Sequence, residues 1–340
     1  MAGKRSIVYI DNFLAEHGAT PTTGVTLTRL FEKEGYNVVR AGTKISKRAR
    51  LFEMLGAIRR NRGAIILIAV YSTSAFYFAW ACARLCRLLR VQYIPCLHGG
   101  NLPQRISKNP GLSAQIFAHS YTNVVVSGYL QASLTQPGWK SVLIPNSINI
   151  TQYPFLHRSR VQPKLLWVRS FHHIYNPQLA IQLVKALAAN YPAVTLTMVG
   201  PDKDGSLDTC TKLADDLGVA GKITFTGRLA VNEWVAVSAQ HDIFINTTNF
   251  DNLPVSVIEA MALGMPVVST NVGGLPYLVN SGQNGLLVNP NSVDEFVTAI
   301  ESILDDSGFA AALSTAARNT AEAFSELHVM RLWNELLAGA

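Results

Sequence analysis

The sequence predicts an α/β protein of two doubly wound parallel-sheet domains. Three observations carry this. The chain has 340 residues, which at roughly 150 residues per domain suggests two. It is 49% hydrophobic and 15% charged, enough apolar material for two buried cores and too little charge for a disordered chain. Short apolar, strand-like runs alternate with longer helical stretches, and this alternation restarts after a polar segment.

In the first half, Ser6–Ile10 reads as a strand, Thr26–Glu34 as a helix and Tyr36–Arg40 as a second strand. Ile65–Tyr71, Tyr93–Leu97, Asn123–Ser127 and Ser141–Ile144 continue the strand series, with helix-like segments between them. The twenty residues Ala64–Ala83 carry no charge and are formally long enough to span a bilayer. The run breaks at Ser72-Thr73-Ser74, so it reads as a buried strand, a polar loop and a helix starting near Ala75. Thr151–Pro163, polar and containing Pro154 and Pro163, reads as the linker. The second half supplies strands at Lys164–Arg169, Thr195–Val199, Lys222–Thr226, Ile243–Thr247 and Pro266–Thr270. The expected domains are 1–157 and 158–340, with the helical stretch Leu327–Leu337 a candidate to cross back to the first. Ligands of such sheets bind at the carboxyl ends of the strands, so chemistry is expected just after each strand.

Net charge is +7, and Lys44, Lys47, Arg48, Arg50, Arg59, Arg60 and Arg62 are clustered, followed by Arg84, Arg87 and Arg90. Such a stretch is either a solvated helix face or a docking patch for an anionic membrane surface. With no zinc-finger spacing, RNA-binding sheet motif or basic heptads, a nucleic-acid partner is not expected. Cys82, Cys86, Cys96 and Cys210 form no CxxC pair, which fits a reducing cytosol. MAGKRSIVYIDNF lacks the apolar core of a signal peptide. The expected location is therefore cytoplasmic, with peripheral attachment at the inner membrane face.

Several strand ends carry candidate residues. After the first strand, Thr23-Gly24 opens a helix, and a glycine there lets a phosphate or sugar approach backbone N–H groups. His98, followed by Gly99-Gly100, is either a polar group at a ligand site or a core histidine, and its place directly after a strand favours the former. Pro145-Asn146 reads as a turn. Arg169 ends the strand that opens the second half; its planar fork suits a diphosphate, although an exposed structural arginine has the same signature. Asn176-Pro177 reads as an N-cap with proline in the first helical position. Gly200 and Lys203 follow another strand, and Asp202-Lys203-Asp204, although spaced to hold a divalent cation, reads as a surface turn without a metal.

The richest segment is INTTNFDNLPVSVIEAMALGMPVVSTNVGGLP. A strand leads to a loop with Asp251. A helix follows, carrying Glu259 and stopping at Gly264, and a second strand runs into Gly273-Gly274. Amides near the helix start, around Leu253, Pro254 and Val255, would face an anion or a sugar hydroxyl. Helix capping by Asp251 and a surface Glu259 do not explain the nearly charge-free flanks of both acids.

This segment resembles the donor site of GT-B glycosyltransferases of the retaining family 4, also called glycosyltransferase group 1. The matching elements are Asp251 and Glu259, separated by seven residues, then Ala260-Met261-Ala262-Leu263-Gly264-Met265-Pro266-Val267, then Gly273-Gly274. Thr23-Gly24, Pro145-Asn146 and Arg169 extend the resemblance to nearly the whole chain. It implies two facing Rossmann-like domains with a cleft between them, the first for the acceptor and the second for the donor. It further implies transfer from a nucleotide sugar, UDP- or GDP-linked, to a glycan or lipid-linked acceptor, without cofactor or metal. In the implied roles Glu259 bonds the ribose, Asp251 and the backbone from Asn252 to Val255 hold the sugar, and Arg169 neutralises the diphosphate. His98 contacts sugar and acceptor, while Gly24, Gly200 and Arg228 line the donor's pocket.

Three departures stand out. The first acid is Asp rather than Glu, Asn252 replaces a glycine, and Ile174 and Tyr175 stand where a lysine is expected after Arg169. Lys203 is the expected substitute, with His172 or His173 next. Two other readings share the fold: a nucleotide-sugar epimerase and a non-catalytic carbohydrate-binding subunit. A dehydrogenase is disfavoured because no GxGxxG follows the first strand.

Overall fold

A computed structural model describes residues 5–17, 22–134 and 136–340. The chain forms two compact units: Met1–Ser147 with Glu326–Ala340, and Ile148–Ser325.

Unit 1 runs β1 (Ile7–Ile10), α1 (Thr23–Lys33), β2 (Val38–Ala41), α2 (Lys47–Arg60), β3 (Ile65–Val70), α3 (Ala75–Leu89), β4 (Tyr93–Leu97), α4 (Leu102–Lys108), α5 (Pro110–Phe117), β5 (Asn123–Val125), α6 (Gly128–Ser133) and β6 (Ser141–Leu143). Its sheet, in the order β2-β1-β3-β4-β5-β6, is parallel throughout. β1, β3 and β4 are buried along their whole length, hence their unbroken apolar sequences. Alternate residues feed two cores: Val8, Ile10, Ile66, Ile68 and Val70 on one face, Ile7, Tyr9, Ile65, Leu67 and Ala69 on the other. The charge-free stretch resolves into β3, a loop and α3, whose Phe76, Ala79, Cys82, Ala83 and Cys86 pack into the first of these cores. Among the described residues no helix is long and apolar enough to cross a membrane.

Unit 2 runs β7 (Lys164–Val168), α7 (Pro177–Leu187), β8 (Thr195–Val199), α8 (Ser206–Asp216), β9 (Ile223–Gly227), α9 (Val231–Ser238), β10 (Ile243–Asn246), α10 (Val255–Ala262), β11 (Val267–Thr270), β12 (Leu286–Val288), α11 (Val293–Asp305) and α12 (Ser307–Glu322). Its parallel sheet has the order β12-β11-β10-β7-β8-β9. Leu165, Trp167, Ile243 and Ile245 face one core, Leu166 and Phe244 the other. The sequence signals a second series only as far as Pro266–Thr270; β12 adds a further strand whose three residues, Leu286–Val288, two half-buried and one buried, are too few to give a periodicity.

The last helix, α13 (Glu326–Ala338), belongs to unit 1. Val329, Met330, Trp333 and Leu337 join the core under β1 and β3, and Trp333 meets Phe31 edge-on with ring centroids 5.4 Å apart. The first division of the chain falls at 147/148 rather than 157/158. The stretch read as a linker is anchored in unit 2 by Tyr153 and by Arg158, 4% and 2% exposed. Arg158 donates to the carbonyls of Leu156, Ser238, His241 and Leu263, saturating the chain ends that follow α9 and α10. Burial pushes its pKa down to about 10.

Candidate functional site

In unit 2 the sheet order places β7 beside β10, and chain connections diverge from that pair, the switch point at which doubly wound sheets open a crevice. Arg169 follows β7 and Asp251 lies in the loop after β10. Their side chains form an ion pair, each less than a fifth exposed. The Arg169 guanidinium also lies 4.5 Å from the centre of the Tyr175 ring, so the aromatic residue at the expected lysine position buttresses the arginine. Burial pushes the pKa of Arg169 down from its usual value, opposed by Tyr175 and Glu259. The loops that carry these residues are cross-tied: Thr247 Oγ1 donates to Tyr175 O at 2.9 Å, and Asn249 N to Ile174 O at 2.7 Å.

Two sets of glycines make this geometry sterically possible. A Cβ on Gly200 would lie 1.7 Å from Arg169 O. On Gly273 and Gly274 it would lie 2.1 Å from Asp251 O and 1.6 Å from Asn252 O. The Gly-Gly loop after β11 thus brings backbone against backbone behind the acidic loop, and Gly274 N donates to Asp251 O at 2.8 Å.

α10 begins at Val255 and puts Glu259 just over a turn inside. Glu259 accepts a hydrogen bond from the Tyr153 hydroxyl, and burial pushes its pKa up to about 7 against the lowering effects of that bond and of Arg169. Gly264, at φ +74°, terminates the helix as expected. Asp251 does not cap α10; the N-cap is Pro254, and Asp251 Oδ1 accepts from Asn252 N at 2.8 Å. A pocket of about 340 Å³ is lined by Arg169, Tyr175, Gly200, Arg228, Val255, Ser256 and Glu259, among others. Its apolar wall is formed by Val168, Leu229, Val231 and Trp234.

Of the residues singled out in the sequence, Arg169, Gly200, Arg228, Val255 and Glu259 line this pocket, and Asp251 reaches it through Arg169. Asn252, Leu253 and Pro254 form the approach to α10 without lining it. Lys203 is exposed on the loop after β8 and does not line the pocket; Arg228 is the second cation there. Tyr153 and Ser256 were missed. Tyr153 sits in a stretch that looked like a linker, and Ser256, 7% exposed with no hydrogen-bond partner for Oγ among the described residues, looked like ordinary helix.

His172, His173 and Asp204 are the one set among the described residues with metal-ligating atoms in reach of one another, within 4.8 Å. Hydrogen bonds already occupy them: Ile174 N donates to His172 Nδ1 at 3.2 Å, and Asp204 Oδ2 lies 2.9 Å from His173 N and 3.0 Å from His173 Nδ1. With Ser206 also donating to Asp204 at 2.5 Å, the carboxyl is held well below the usual carboxylate range.

Unit 1 has its own switch point between β1 and β3. Asp11 follows β1, Tyr71 follows β3 and His98 follows β4. His98 Nε2 lies 3.4 Å from Tyr9 Oη and Nδ1 lies 3.3 Å from Thr23 Oγ1, its ring stacks on Tyr71 at 5.8 Å, and the Asn146 side chain bonds it. Burial lowers its pKa, opposed by Asp11 and Asn146. Asp11, 2% exposed, accepts from Thr22 Oγ1 at 2.6 Å, from Asn12 N at 2.7 Å and from the Tyr71 hydroxyl. A Cβ on Gly24 would fall 2.3 Å from Asp11 Oδ2, so this glycine makes room for the chain's own carboxylate. Asp11 and Tyr71 were not singled out in the sequence, although the strand-end rule that selected His98 applies to both.

The basic stretch is solvent-facing at Lys44, Lys47, Arg48, Arg59, Arg60 and Arg62. Arg50 is an exception, 6% exposed and 5.6 Å from the centre of the Phe78 ring.

Residues 155–320 match the family described as Glycosyl transferases group 1. The chain is 33% identical over 157 residues to a D-inositol 3-phosphate glycosyltransferase of Rhodococcus jostii, covering 45% of this chain and 35% of that one. It is 37% identical over 119 residues to a GDP-mannose-dependent alpha-(1-6)-phosphatidylinositol monomannoside mannosyltransferase of Mycobacterium tuberculosis, covering 33% and 31%. The chain thus spans about a third of the length of these relatives. In fold it is similar to Anabaena HepE, solved in complex with UDP, with TM-score 0.78, 17% identity and coverage of 99% and 100%. The fold is GT-B, with two Rossmann-like units. The segment that carries Arg169, Asp251 and Glu259 is thus the part of the chain that matches the group 1 glycosyl transferases.

Proposed function

We propose that this protein transfers a sugar, with retention of anomeric configuration, from a UDP- or GDP-linked donor to a hydroxyl of a glycan or lipid-linked acceptor. The observation that carries the reading is the convergence of Arg169, Asp251 and Glu259 on the unit 2 switch point, around a pocket of about 340 Å³ at the start of α10. Glu259 accepts hydrogen bonds from the ribose, and Trp234 and Leu229 shelter the nucleoside. Arg169, Arg228, Ser256 and the first amides of α10 receive the diphosphate, and Asp251, once the diphosphate has taken Arg169, holds hydroxyls of the sugar. The bond from the anomeric carbon to the leaving phosphate oxygen breaks, the acceptor oxygen bonds that carbon, and the acceptor's proton passes to the leaving phosphate. Catalysis is then positioning and charge stabilisation, with no dedicated base and no metal or cofactor.

The donor nucleotides follow two similarities: HepE was solved with UDP, and the mycobacterial relative is named for GDP-mannose. That relative is also named for a phosphatidylinositol mannoside, which favours a cell-envelope glycan or glycolipid as acceptor. The surface of α2 and of the loop leading into it supports attachment to an anionic membrane at its cytoplasmic face: Phe52 on the helix, 74% exposed, and Ile45 just before it, 68% exposed, stand among the outward-facing cations.

The test is turnover. The protein is incubated with UDP-, GDP- and ADP-sugars and extracted lipid-linked glycans, and nucleotide release and labelled glycan are followed together. Equal amounts of nucleotide and glycosylated product support the transferase. Nucleotide release without any acceptor, yielding an altered sugar, supports an epimerase, and nucleotide binding without turnover supports a binding subunit.

A further inference from the structure

A hollow of about 660 Å³ opens on unit 1, lined by Arg84, Arg87, Leu88, Gln115 and His119. It lies between α3 and α5, which cover the same face of the sheet: Cys82 and Cys86 of one and Ile116 and Phe117 of the other enter one core. α3 leaves the carboxyl end of β3 and returns to the start of β4, and α5 returns in the same way to the start of β5. In a parallel sheet this puts the late residues Arg84, Arg87 and Gln115 toward the edge opposite the strand ends at which crevices open. The hollow is therefore separate from His98, which follows β4, and from the switch point of unit 1.

We propose that this hollow binds a phosphate ester, with Arg84 and Arg87 receiving the phosphate. Binding there does not depend on the transferase reading.

Cations in the last turns of a helix are ordinary, because they offset its dipole. Two features set these apart. The first is a lining dominated by donors. Guanidinium has no acceptor. Trp80 Nε1 donates to Gln115 Oε1 at 2.9 Å, and an indole only donates, so the amide nitrogen of Gln115 is the group left for a ligand. The Arg84 guanidinium lies 5.1 Å from the centre of the Trp80 ring, a stacking that leaves its N–H groups available at the edge. Trp80 thus positions two of the donors.

The second feature is the missing counter-charge. The elements packed against α3 are chiefly α2, α5, β3 and β4, and the one acid among them is Glu53. Its carboxylate accepts from Thr43 N at 2.9 Å, from Thr43 Oγ1 at 2.8 Å and from Lys44 N at 3.3 Å. The sequence has no Asp or Glu between Glu53 and Asp202. Among the described residues Arg87 makes no hydrogen bond or ion pair. Two unpaired guanidiniums suit phosphate oxygens, which each fork can take in pairs. Leu88, 80% exposed on the lining, offers an apolar contact to the group that carries the phosphate.

The experiment reads the imidazole signals of His119 in the full chain by nuclear magnetic resonance, assigned with His119→Gln. The probes are glycerol 3-phosphate, monomeric dihexanoyl phosphatidic acid, glycerol, and sodium chloride at matched ionic strength. The variants are Arg84→Gln/Arg87→Gln and, removing equal charge from α2, Arg48→Gln/Arg59→Gln; thermal melts check that both fold. Arg87→Gln alone, which keeps the Trp80 stack, replaces the first variant if it does not. The expected result is a saturable shift with a phosphate ester and none with glycerol or salt. Arg84→Gln/Arg87→Gln should weaken it by about tenfold or more, and the α2 variant should leave it nearly unchanged. Tighter binding of the lipid than of glycerol 3-phosphate assigns the site to a lipid headgroup, and equal binding assigns it to a soluble ester. A shift with salt as strong as with the esters, the same loss in both variants, or no response to either ester would overturn the proposal. UDP and GDP binding in the same samples tests the transferase reading separately.

Discussion

Replacing Glu259 by Gln exposes the energetic tension in the pocket at the start of α10. Burial raises the pKa of this carboxyl from 4.5 to about 7. One pKa unit corresponds to about 1.4 kcal/mol, so the ionised side chain costs the empty protein roughly 3 kcal/mol. The sign follows from the folded pKa lying above the unfolded one. Below pH 4.5 the folded protein bears no cost, stability declines as pH rises, and the full penalty is present above about 7. Gln has no charge to bury and can still accept from Tyr153. Glu259→Gln should therefore match wild type near pH 4 and exceed it by about 3 kcal/mol at pH 8 in urea denaturation. Nucleotide binding should run the opposite way. An ionised carboxylate accepts both ribose hydroxyls, so wild-type affinity should fall about tenfold per pH unit below 7, while Glu259→Gln binds weakly and without that dependence. A stability difference that is flat between pH 4 and 8 would refute the assignment of a strained carboxylate.

Three further outcomes are expected. Arg169→Ala should weaken binding of a nucleoside diphosphate by about ten- to a hundredfold while leaving the monophosphate nearly unchanged, as titration calorimetry with each would report. Gly264→Ala should destabilise unit 2 by about 2 kcal/mol or more in denaturant melts, because the residue has φ +74° and its Cβ would lie 2.6 Å from the Phe155 ring and 2.7 Å from Leu156 O. Donor turnover measured by nucleotide release should be the same with and without EDTA; its abolition would assign a divalent cation to the reaction, with His172, His173 and Asp204 the first ligands to replace.

Where one local signal determined the outcome, the sequence was legible. Unbroken apolar runs became the buried strands β3, β4 and β10, and Gly264 ended α10 because only a positive φ fits there. Arg169 and Asp251 stood out by their places after strands and Glu259 by its spacing from Asp251, and the structure gathers them at one switch point. Tyr153 was hidden because its burial depends on Glu259, 106 residues away in sequence. Arg50 was counted as surface charge because composition cannot tell which face of α2 turns inward. Gly24 was legible as a glycine that something approaches closely. That this neighbour is Asp11 emerged only when the register of β1 and α1 was seen.

The most direct test of the central claim is nucleotide binding to the full chain by titration calorimetry, without added metal, for UDP, GDP and ADP against wild type and Glu259→Ala. The account predicts that UDP or GDP binds wild type and that Glu259→Ala loses at least tenfold in affinity. Binding that is unchanged in Glu259→Ala, or no binding of any of the three to wild type, would contradict it.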